Sequence, residues 1–439
     1  MKHTDMKRII ASLGLVAVGT SSLHAAYAPD SADTSKMWNL TGTLRGFYDD
    51  NYNTLSHKQG SVGFQVNPSF SLNLPMQQTE IGLRYSYGLY YYQNRERLGQ
   101  NPIDQTHQFD LWLDHAFTPR WEARIQDTVT VAQEPSLLTP GTVSTAQRIE
   151  GNNVANTVRA SVNTDWTREF STVLAYQNTL YDYQQSGATV GAGNTSVASS
   201  YAGTLNRVEQ NITLDFKWHL SATTTALIGY ELGLVNFTGN EPVASSFPAP
   251  LGGPYKLYYS NSRDNISHYG YVGVEHSFLA NLTGQAKVGV QYTDYYNDPS
   301  ATSSFGPYAD ASLVYTYASG SYAQIGVTES RNATSTVNVD SQGHITQDQQ
   351  STTIYGSINH QLTPKLTGSV VGHYQYSTYN DGQFNNQSAQ FYNLGLNLSY
   401  AFTHNFSSEV GYNFDYYTTP VPGQEYTRNR VYLGITASY

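Results

Sequence analysis

Few residues in this sequence of 439 have the types and spacing needed for catalysis. His219-Leu220-Ser221 places a potential general base two residues from a potential nucleophile, which could serve acyl hydrolysis. We interpret the segment as a short turn between strands. The sequence shows no phosphate-binding loop, zinc-protease helix motif or nucleophile elbow, and the glycine-rich stretch 187–193 precedes no predicted helix that could cradle a phosphate. We predict no catalytic residue and no enzymatic activity.

Two groups of oxygen-bearing side chains could bind calcium, which prefers carboxylate and amide oxygens. They are Asp49, Asp50, Asn51 and Asn53 in one segment, and Asp294, Asn297 and Asp298 in another. Both fall in predicted loops, where hydrated turn residues are the simpler interpretation. The chain has no cysteine, so it forms no disulfide and no thiolate metal site. We predict no metal and no cofactor.

The remaining candidates are ionisable side chains that recur on the polar face of alternating segments. They are Arg45, Glu80, Arg84, Asp110, Asp114, Glu122, Arg124, Arg159, Arg207, Glu209, Asp215, Lys217, Glu231, Glu275, Lys287, Asp310, Glu409 and Arg430. In a wide barrel such groups would line water and create a transverse field that filters solutes by size and charge. Alternatively, they only hydrate the wall and pair across it. Asp127 falls on the apolar face of its segment.

The segment 61–74 shows which elements would position these residues. Val62, Phe64 and Val66 alternate with polar or small residues, and a period of two is typical of a strand. We find about 18 such segments. They are 38–48, 61–74, 79–92, 107–117, 120–132, 152–163, 169–183, 205–218, 222–237, 263–278, 281–293, 307–317, 321–331, 351–362, 365–379, 390–402, 405–417 and 427–439. Strands of about ten residues separated by turns are typical of outer-membrane β-barrels.

The connections between these segments alternate in length. Breaks of two to five residues follow even-numbered segments, and longer breaks rich in Gly, Ser, Asn, Gln and Pro follow odd-numbered ones. Outer-membrane barrels have short periplasmic turns and longer extracellular loops. The two longest loops, 184–204 and 238–262, are our candidates for a constriction inside the lumen.

Both ends of the chain carry export and assembly features. Lys2, Lys7 and Arg8 precede an apolar stretch, 9–18, and small residues follow, which predicts a signal peptide over 1–25 and a barrel over 37–439. The last strand alternates and ends in an aromatic residue, which resembles the signal recognised by the barrel-assembly machinery. Its residues are Val431, Leu433, Ile435, Ala437 and Tyr439.

Composition excludes several classes of protein. Charged residues make up 13% of the chain, against about 25% in soluble domains, while the chain contains 37 Tyr and 36 Gly. A net charge of −10 argues against nucleic-acid binding. A soluble secreted all-β protein is disfavoured because its strand edges and apolar face would need a covering that no second sheet supplies.

Two segments resemble each other around a short turn. HAFTPRW at 115–121 is similar to HQLTPKL at 360–366, and we interpret both as a reused hairpin in which Pro fixes φ. With the terminal aromatic strand, they make residues 37–439 resemble the outer-membrane β-barrel porin family called porin type 2. The resemblance implies an outer-membrane pore and supplies no catalytic residue.

These features predict an all-β protein, a closed antiparallel transmembrane barrel. The function they favour is passive diffusion of small hydrophilic solutes through an outer-membrane channel. The alternative is a non-conducting barrel whose extracellular loops bind a surface partner or ligand. Expected partners are outer-membrane lipids, the barrel-assembly machinery during biogenesis and the permeating solutes.

Overall fold

Eighteen long strands form one sheet in the computed structural model, which describes residues 36–439 except 140, 247–254, 299 and 302. The predicted signal peptide, 1–25, lies outside the described residues. The strands are β1 Trp38–Asp49, β2 Ser61–Pro75, β3 Thr79–Tyr92, β4 Ile103–Thr118, β5 Trp121–Ala132, β6 Asn153–Asp165, β7 Phe170–Asp182, β8 Arg207–His219, β9 Thr224–Phe237, β10 Asn265–Leu279, β11 Leu282–Asp294, β12 Ser304–Ala318, β13 Ser321–Asn332, β14 Asp348–Thr363, β15 Leu366–Asn380, β16 Ser388–Ala401, β17 Phe406–Thr418 and β18 Tyr426–Ser438.

The sheet closes on itself. Each strand pairs antiparallel with its neighbours in the chain, and β1 pairs with β18 from Thr41 opposite Ser438 to Asp49 opposite Arg430. Closure leaves no unpaired strand edge, which is the condition for crossing hydrocarbon with strands. The predicted fold class, a closed antiparallel barrel of about 18 strands, is confirmed.

The two faces of each strand differ as the alternation predicts. In β1, Leu40 and Leu44 are each 49% exposed, whereas Asn39 and Thr43 are 7% and 8% exposed. The apolar face therefore points away from the barrel, toward lipid. The polar face points inward, where the loops and the opposite wall cover it.

Short turns join the strands at one rim of the barrel. His115 in β4 and His276 in β10 make the same contacts there: each Nδ1 lies 2.8 Å from the Oγ1 of a Thr that begins the preceding strand. Each imidazole also meets the ring of the Phe two residues later edge-on, at 4.5 Å. Each histidine therefore links two neighbouring hairpins at this rim.

Long loops connect the strands at the other rim and contain the remaining elements. Three short α-helices lie there, α1 Gln93–Arg97, α2 Pro135–Leu138 and α3 Tyr201–Leu205. Two-stranded ribbons, Thr189–Val190 with Val197–Ala198 and Pro242–Ser245 with Leu257–Tyr259, and two 3₁₀ turns, Ala192–Asn194 and Ser260–Arg263, complete the loops. In the part of the chain that the structure describes, no helix is long and apolar enough to cross a membrane.

The buried apolar residues lie inside the barrel, near the long-loop rim. One cluster joins Val143 and Ala146 of the loop after β5 to aromatic residues of the wall, including Tyr379 and Phe391. A second packs Leu138 and Ile149 of that loop against Leu205 of α3. The loops are therefore folded into the barrel mouth and held by their own apolar contacts.

Candidate pore

Most of the ionisable residues predicted to line a pore form ion pairs along the inner wall. The pairs are Arg45–Glu409 (2.6 Å), Arg84–Asp110 (2.8 Å), Arg124–Asp114, Arg207–Glu209 (2.6 Å), Lys217–Glu275 (2.6 Å), Lys287–Asp215 (3.1 Å) and Arg430–Asp49 (2.7 Å). Five of these seven pairs join neighbouring or next-neighbouring strands, which requires a shared face of the sheet. The positive and negative groups thus partly neutralise each other.

Five further predicted residues form no ion pair among the described residues. Glu80 and Glu122 are exposed near the short-turn rim, where β3 and β5 begin. Arg159, Glu231 and Asp310 lie near the centres of β6, β9 and β12 and are partly exposed. These three central groups are the uncompensated charges of the inner wall.

Asp127 is a charged residue on the opposite face. Asp127 of β5 accepts a hydrogen bond from the Nδ2 of Asn156 at 2.6 Å, and both side chains follow the parity of the apolar face. The sequence placed Asp127 on that face, and the structure adds the amide partner that solvates the carboxylate there.

The segment that crosses the lumen is 133–152, between β5 and β6. Its Gly141 carbonyl oxygen lies 2.5 Å from Nε2 of His373, near the centre of β15. The side-chain amide of Gln375 accepts from the Val143 N–H at 2.7 Å and donates to the Val143 carbonyl at 2.9 Å. In an 18-stranded ring β15 lies almost opposite β5, so this loop spans the barrel at mid-height.

The described residues of the two loops that the sequence favours do not make this crossing. The loops 184–204 and 238–262 were singled out for length, but their described residues pack at the mouth. The structure assigns the crossing to 133–152, which we call the crossing loop. No local pattern marked it, because its anchors, His373 and Gln375, lie more than two hundred residues away.

A charged network anchors the base of the crossing loop. Glu134 accepts from Arg428 at 2.8 Å and lies 3.8 Å from Arg430, while Arg148 binds Asp104 at 2.6 Å. Burial opposes ionisation of Glu134, but Arg428 and Arg430 outweigh it and lower the pKa of Glu134 to about 2. The carboxylate is therefore charged at neutral pH and fixes the loop to β18.

A fully buried arginine joins its own loop to two other long loops. Arg263 donates to the carbonyl oxygens of Thr204 (2.8 Å), Gln347 (3.0 Å) and Thr334 (3.0 Å). Burial, with Arg207 nearby, lowers the pKa of Arg263 to about 9, so it remains charged at neutral pH. Composition and spacing gave no sign of this role, which depends on three carbonyls distant in sequence.

Inward-facing aromatic rings lie flat against the wall where a neighbouring strand has glycine. A Cβ atom on Gly229 would fall 2.2 Å from the ring of Tyr271, and one on Gly326 would fall 2.3 Å from the ring of Tyr355. Glycine at these positions lets a large ring lie along the sheet instead of projecting into the lumen.

Several of the candidate catalytic and calcium-binding groups make other contacts. His219 Nδ1 lies 3.0 Å from Oγ1 of Thr225, while Ser221 Oγ lies 3.2 Å from Oγ1 of Thr223. Asp49 binds Arg430. Within the described residues no group of three or more His, Cys, Asp or Glu side chains is arranged to hold a metal ion.

Residues 255–439 match the family model described as Putative beta-barrel porin 2. The predicted porin resemblance is confirmed over these residues. The match covers less than half of the chain. No curated protein sequence matches it.

Solved structures similar to this chain are distant in sequence. Acinetobacter baumannii OccAB4 is 12% identical, with 92% of this chain and 99% of that chain covered and a TM-score of 0.40. The outer-membrane protein opdK of Pseudomonas aeruginosa is 10% identical, with the same coverage and a TM-score of 0.41. The ferric enterobactin receptor PfeA of Pseudomonas aeruginosa is 10% identical over 91% of this chain and 81% of that one, with a TM-score of 0.43. The fold assignment rests on the strand pairing described above.

Proposed function

We propose that this protein is an outer-membrane channel for passive diffusion of small hydrophilic solutes, exported by its signal peptide and inserted by the barrel-assembly machinery. The observation that carries the proposal is a closed 18-stranded barrel with ionisable groups on its inner face. Barrels of 16 to 18 strands enclose an aqueous channel. Ion pairs on an inner wall are costly to bury unless water or polar groups surround them. A water-filled solute pathway supplies that environment.

The crossing loop sets the size limit of this channel. It occupies the lumen at mid-height and contacts β18 through Glu134, β4 through Arg148 and β15 through His373. Solutes must pass beside it. Because the predicted lining residues comprise eight cationic and ten acidic groups, most of them paired, we expect only mild ion selectivity.

Planar-bilayer recording of the purified protein tests this function. We expect steady ion conductance in KCl, and a larger conductance when residues 136–147 are replaced by a short Gly-Ser linker that leaves Glu134 and Arg148 in place. A matched linker replacing 187–197, which lies in a loop at the mouth, should change conductance less. A folded barrel that is silent in both forms would contradict the proposal.

The alternative is a non-conducting barrel whose loops bind a surface partner. It is favoured by the packing at the mouth, where Arg263 ties three loops into one layer. Silence of the barrel in the bilayer experiment would select this function.

A further inference from the structure

Three partly exposed charges near mid-height lack an ionic partner. Arg159 is on β6, Glu231 on β9 and Asp310 on β12. No ion pair within 4.0 Å joins any of them to another described residue, and Glu231 alone has a hydrogen bond, from Thr213 at 3.1 Å. Their inner-wall neighbours, such as Lys217 with Glu275, are paired. The unpaired groups are therefore the ones available to a solute.

The contacts around Asp310 explain why it has no ion-pair partner. Lys287 lies directly opposite Asp310 in the strand register, yet its Nζ donates to Asp215 at 3.1 Å and sits 4.8 Å from the ring centre of Tyr271. The hydroxyl of Tyr271 donates to the same carboxylate at 2.6 Å. Asp215, Lys287 and Tyr271 contact one another, so Lys287 forms no ion pair with Asp310, although its charge still attracts that carboxylate.

Aromatic rings border the two free carboxylates. Tyr308 lies two residues before Asp310 on the same face, and Tyr269 is the register partner of Glu231. The ring of Tyr308 is 5.4 Å from those of both Tyr269 and Tyr271. Carboxylates beside tyrosine faces favour an ammonium group, since the ring quadrupole adds to the ionic attraction.

Arg159 provides the opposite charge and forms no ion pair with either carboxylate. Its guanidinium interacts electrostatically with Glu231 and Asp215, but no carboxylate oxygen lies within 4.0 Å of it. It also interacts with Tyr308, which is six strands away. Arg159 is thus within electrostatic range of Glu231 and Tyr308 but forms an ion pair with no described carboxylate.

We propose that these residues form a binding subsite for zwitterionic solutes of the amino-acid type, with the carboxylate on Arg159 and the ammonium between Glu231, Asp310 and the ring of Tyr308. This substrate class rests on the proposed channel function. A zwitterion gives Arg159 an anionic partner and the two carboxylates a cationic partner at once, whereas a simple anion or cation serves only one of the two signs.

Uptake into proteoliposomes tests the subsite. Initial rates for L-valine are compared with those for D-xylose, isovalerate and valinamide, which are neutral, anionic and cationic solutes of similar size. We expect valine to enter faster than the other three. Arg159→Gln and Asp310→Asn should each reduce the valine-to-xylose ratio at least about threefold, the scale of one solvent-screened ion pair. Asp310→Asn preserves side-chain shape, and Arg159→Gln keeps a shorter polar side chain. Neither change breaks an ion pair among the described residues, and heat-modifiable gel mobility checks folding.

Matched controls are Lys217→Gln and Glu275→Gln combined in one variant, which removes a complete inner-wall ion pair and leaves neither partner unpaired. This double variant should leave the valine-to-xylose ratio unchanged. Isovalerate or valinamide entering as fast as valine would overturn the proposal in favour of a simple anion or cation site. An unchanged ratio in Arg159→Gln would overturn it as well. Conductance in KCl is recorded for every variant, so that a silent channel, which refutes the proposed function, is distinguished from a conducting but unselective one.

Discussion

The effect of a single inner-wall residue depends on the size of the side chain beside it on the neighbouring strand. Glycine on one strand and a large aromatic residue on the next form a recurring pair on the inner wall, seen for Gly229 with Tyr271 and Gly411 with Tyr432. The ring covers the glycine and its hydroxyl reaches a charged or amide group, as Tyr271 reaches Asp215. Each pair therefore sets both lumen width and the position of a charge.

Gly229→Ala should force the Tyr271 ring away from the wall. The new Cβ would lie 2.2 Å from that ring and 2.3 Å from an oxygen of Asp215, so both must move. We expect a loss of about 1–3 kcal/mol in stability and a smaller single-channel conductance. Gly270→Ala is the control, because a Cβ there meets nothing within 4 Å. Urea unfolding in detergent and bilayer recording measure both effects, and equal results for the two variants would contradict the packing argument.

Glu134 predicts how the crossing loop responds to acid. Its pKa is lowered to about 2 in the folded protein, below the ordinary value of 4.5. The ionised group therefore stabilises the folded loop fully above about pH 4.5, and this contribution is lost as the pH falls through about 2. Conductance should stay constant from pH 7 to 5 and rise as the pH approaches 2.

Glu134→Gln removes the charge that Arg428 and Arg430 bind. The variant should show raised conductance already at pH 7 and a smaller rise in acid. Bilayer recordings across the pH range measure this. Glu150→Gln is the control, because Glu150 is largely exposed and its carboxylate comes no closer than 3.7 Å to Arg148. A wild-type rise between pH 7 and 5 would count against Glu134 as the acid-sensitive anchor.

Strands and loops obey different rules in this protein. The strands follow from the period of two, because a closed barrel exposes one face to lipid and the other to the lumen. Sequence segments and observed strands agree in number and order. The loops follow no such period, and their positions depend on contacts such as that of Gly141 with His373.

The parity of β11 can be tested with two arginine substitutions on one strand. Val288, at its centre, is 57% exposed on the outer face, whereas Gln285 lies on the inner face beside Glu275. Val288→Arg should cost about 2–4 kcal/mol in stability because it places a charge in lipid. Gln285→Arg should fold normally, since the acidic neighbour favours it. Refolding yield into lipid vesicles measures the difference, and similar yields would reject the assigned faces.

At the scale of the whole molecule, the barrel depends on the seam between β1 and β18. Beyond the strand pairing, the N–H of Tyr439 donates to the carbonyl of Leu40 at 2.9 Å, and the Leu40 N–H donates back at 3.2 Å. The Tyr439 ring lies 5.2 Å from that of Trp38 and 5.5 Å from Nζ of Lys36. The C-terminal residue thus closes the ring at the short-turn rim.

Deletion of Tyr439 should slow assembly and lower the outer-membrane yield, because the seam loses two backbone hydrogen bonds and an aromatic contact. Tyr439→Phe keeps the backbone pairing and the ring, and should assemble normally. Heat-modifiable mobility of the membrane fraction reports the folded share. Unimpaired assembly of the deletion variant would show that Tyr439 is needed neither to close the seam nor as part of the assembly signal.

The sequence by itself determined the closed barrel, the number of strands and the two faces of the wall, because side-chain alternation is a local property written into every strand. It also placed most inner-wall charges, such as Arg84 and Asp110, on one face of the sheet. Only the tertiary structure decided which loop enters the lumen, since Gly141 and His373 meet across the diameter with no local signal. The tertiary structure also decided which charges remain unpaired, because this depends on strand register and on the reach of each side chain. Lys287 lies opposite Asp310 but bonds to Asp215, beside the ring of Tyr271, and no spacing in the sequence predicts this pairing.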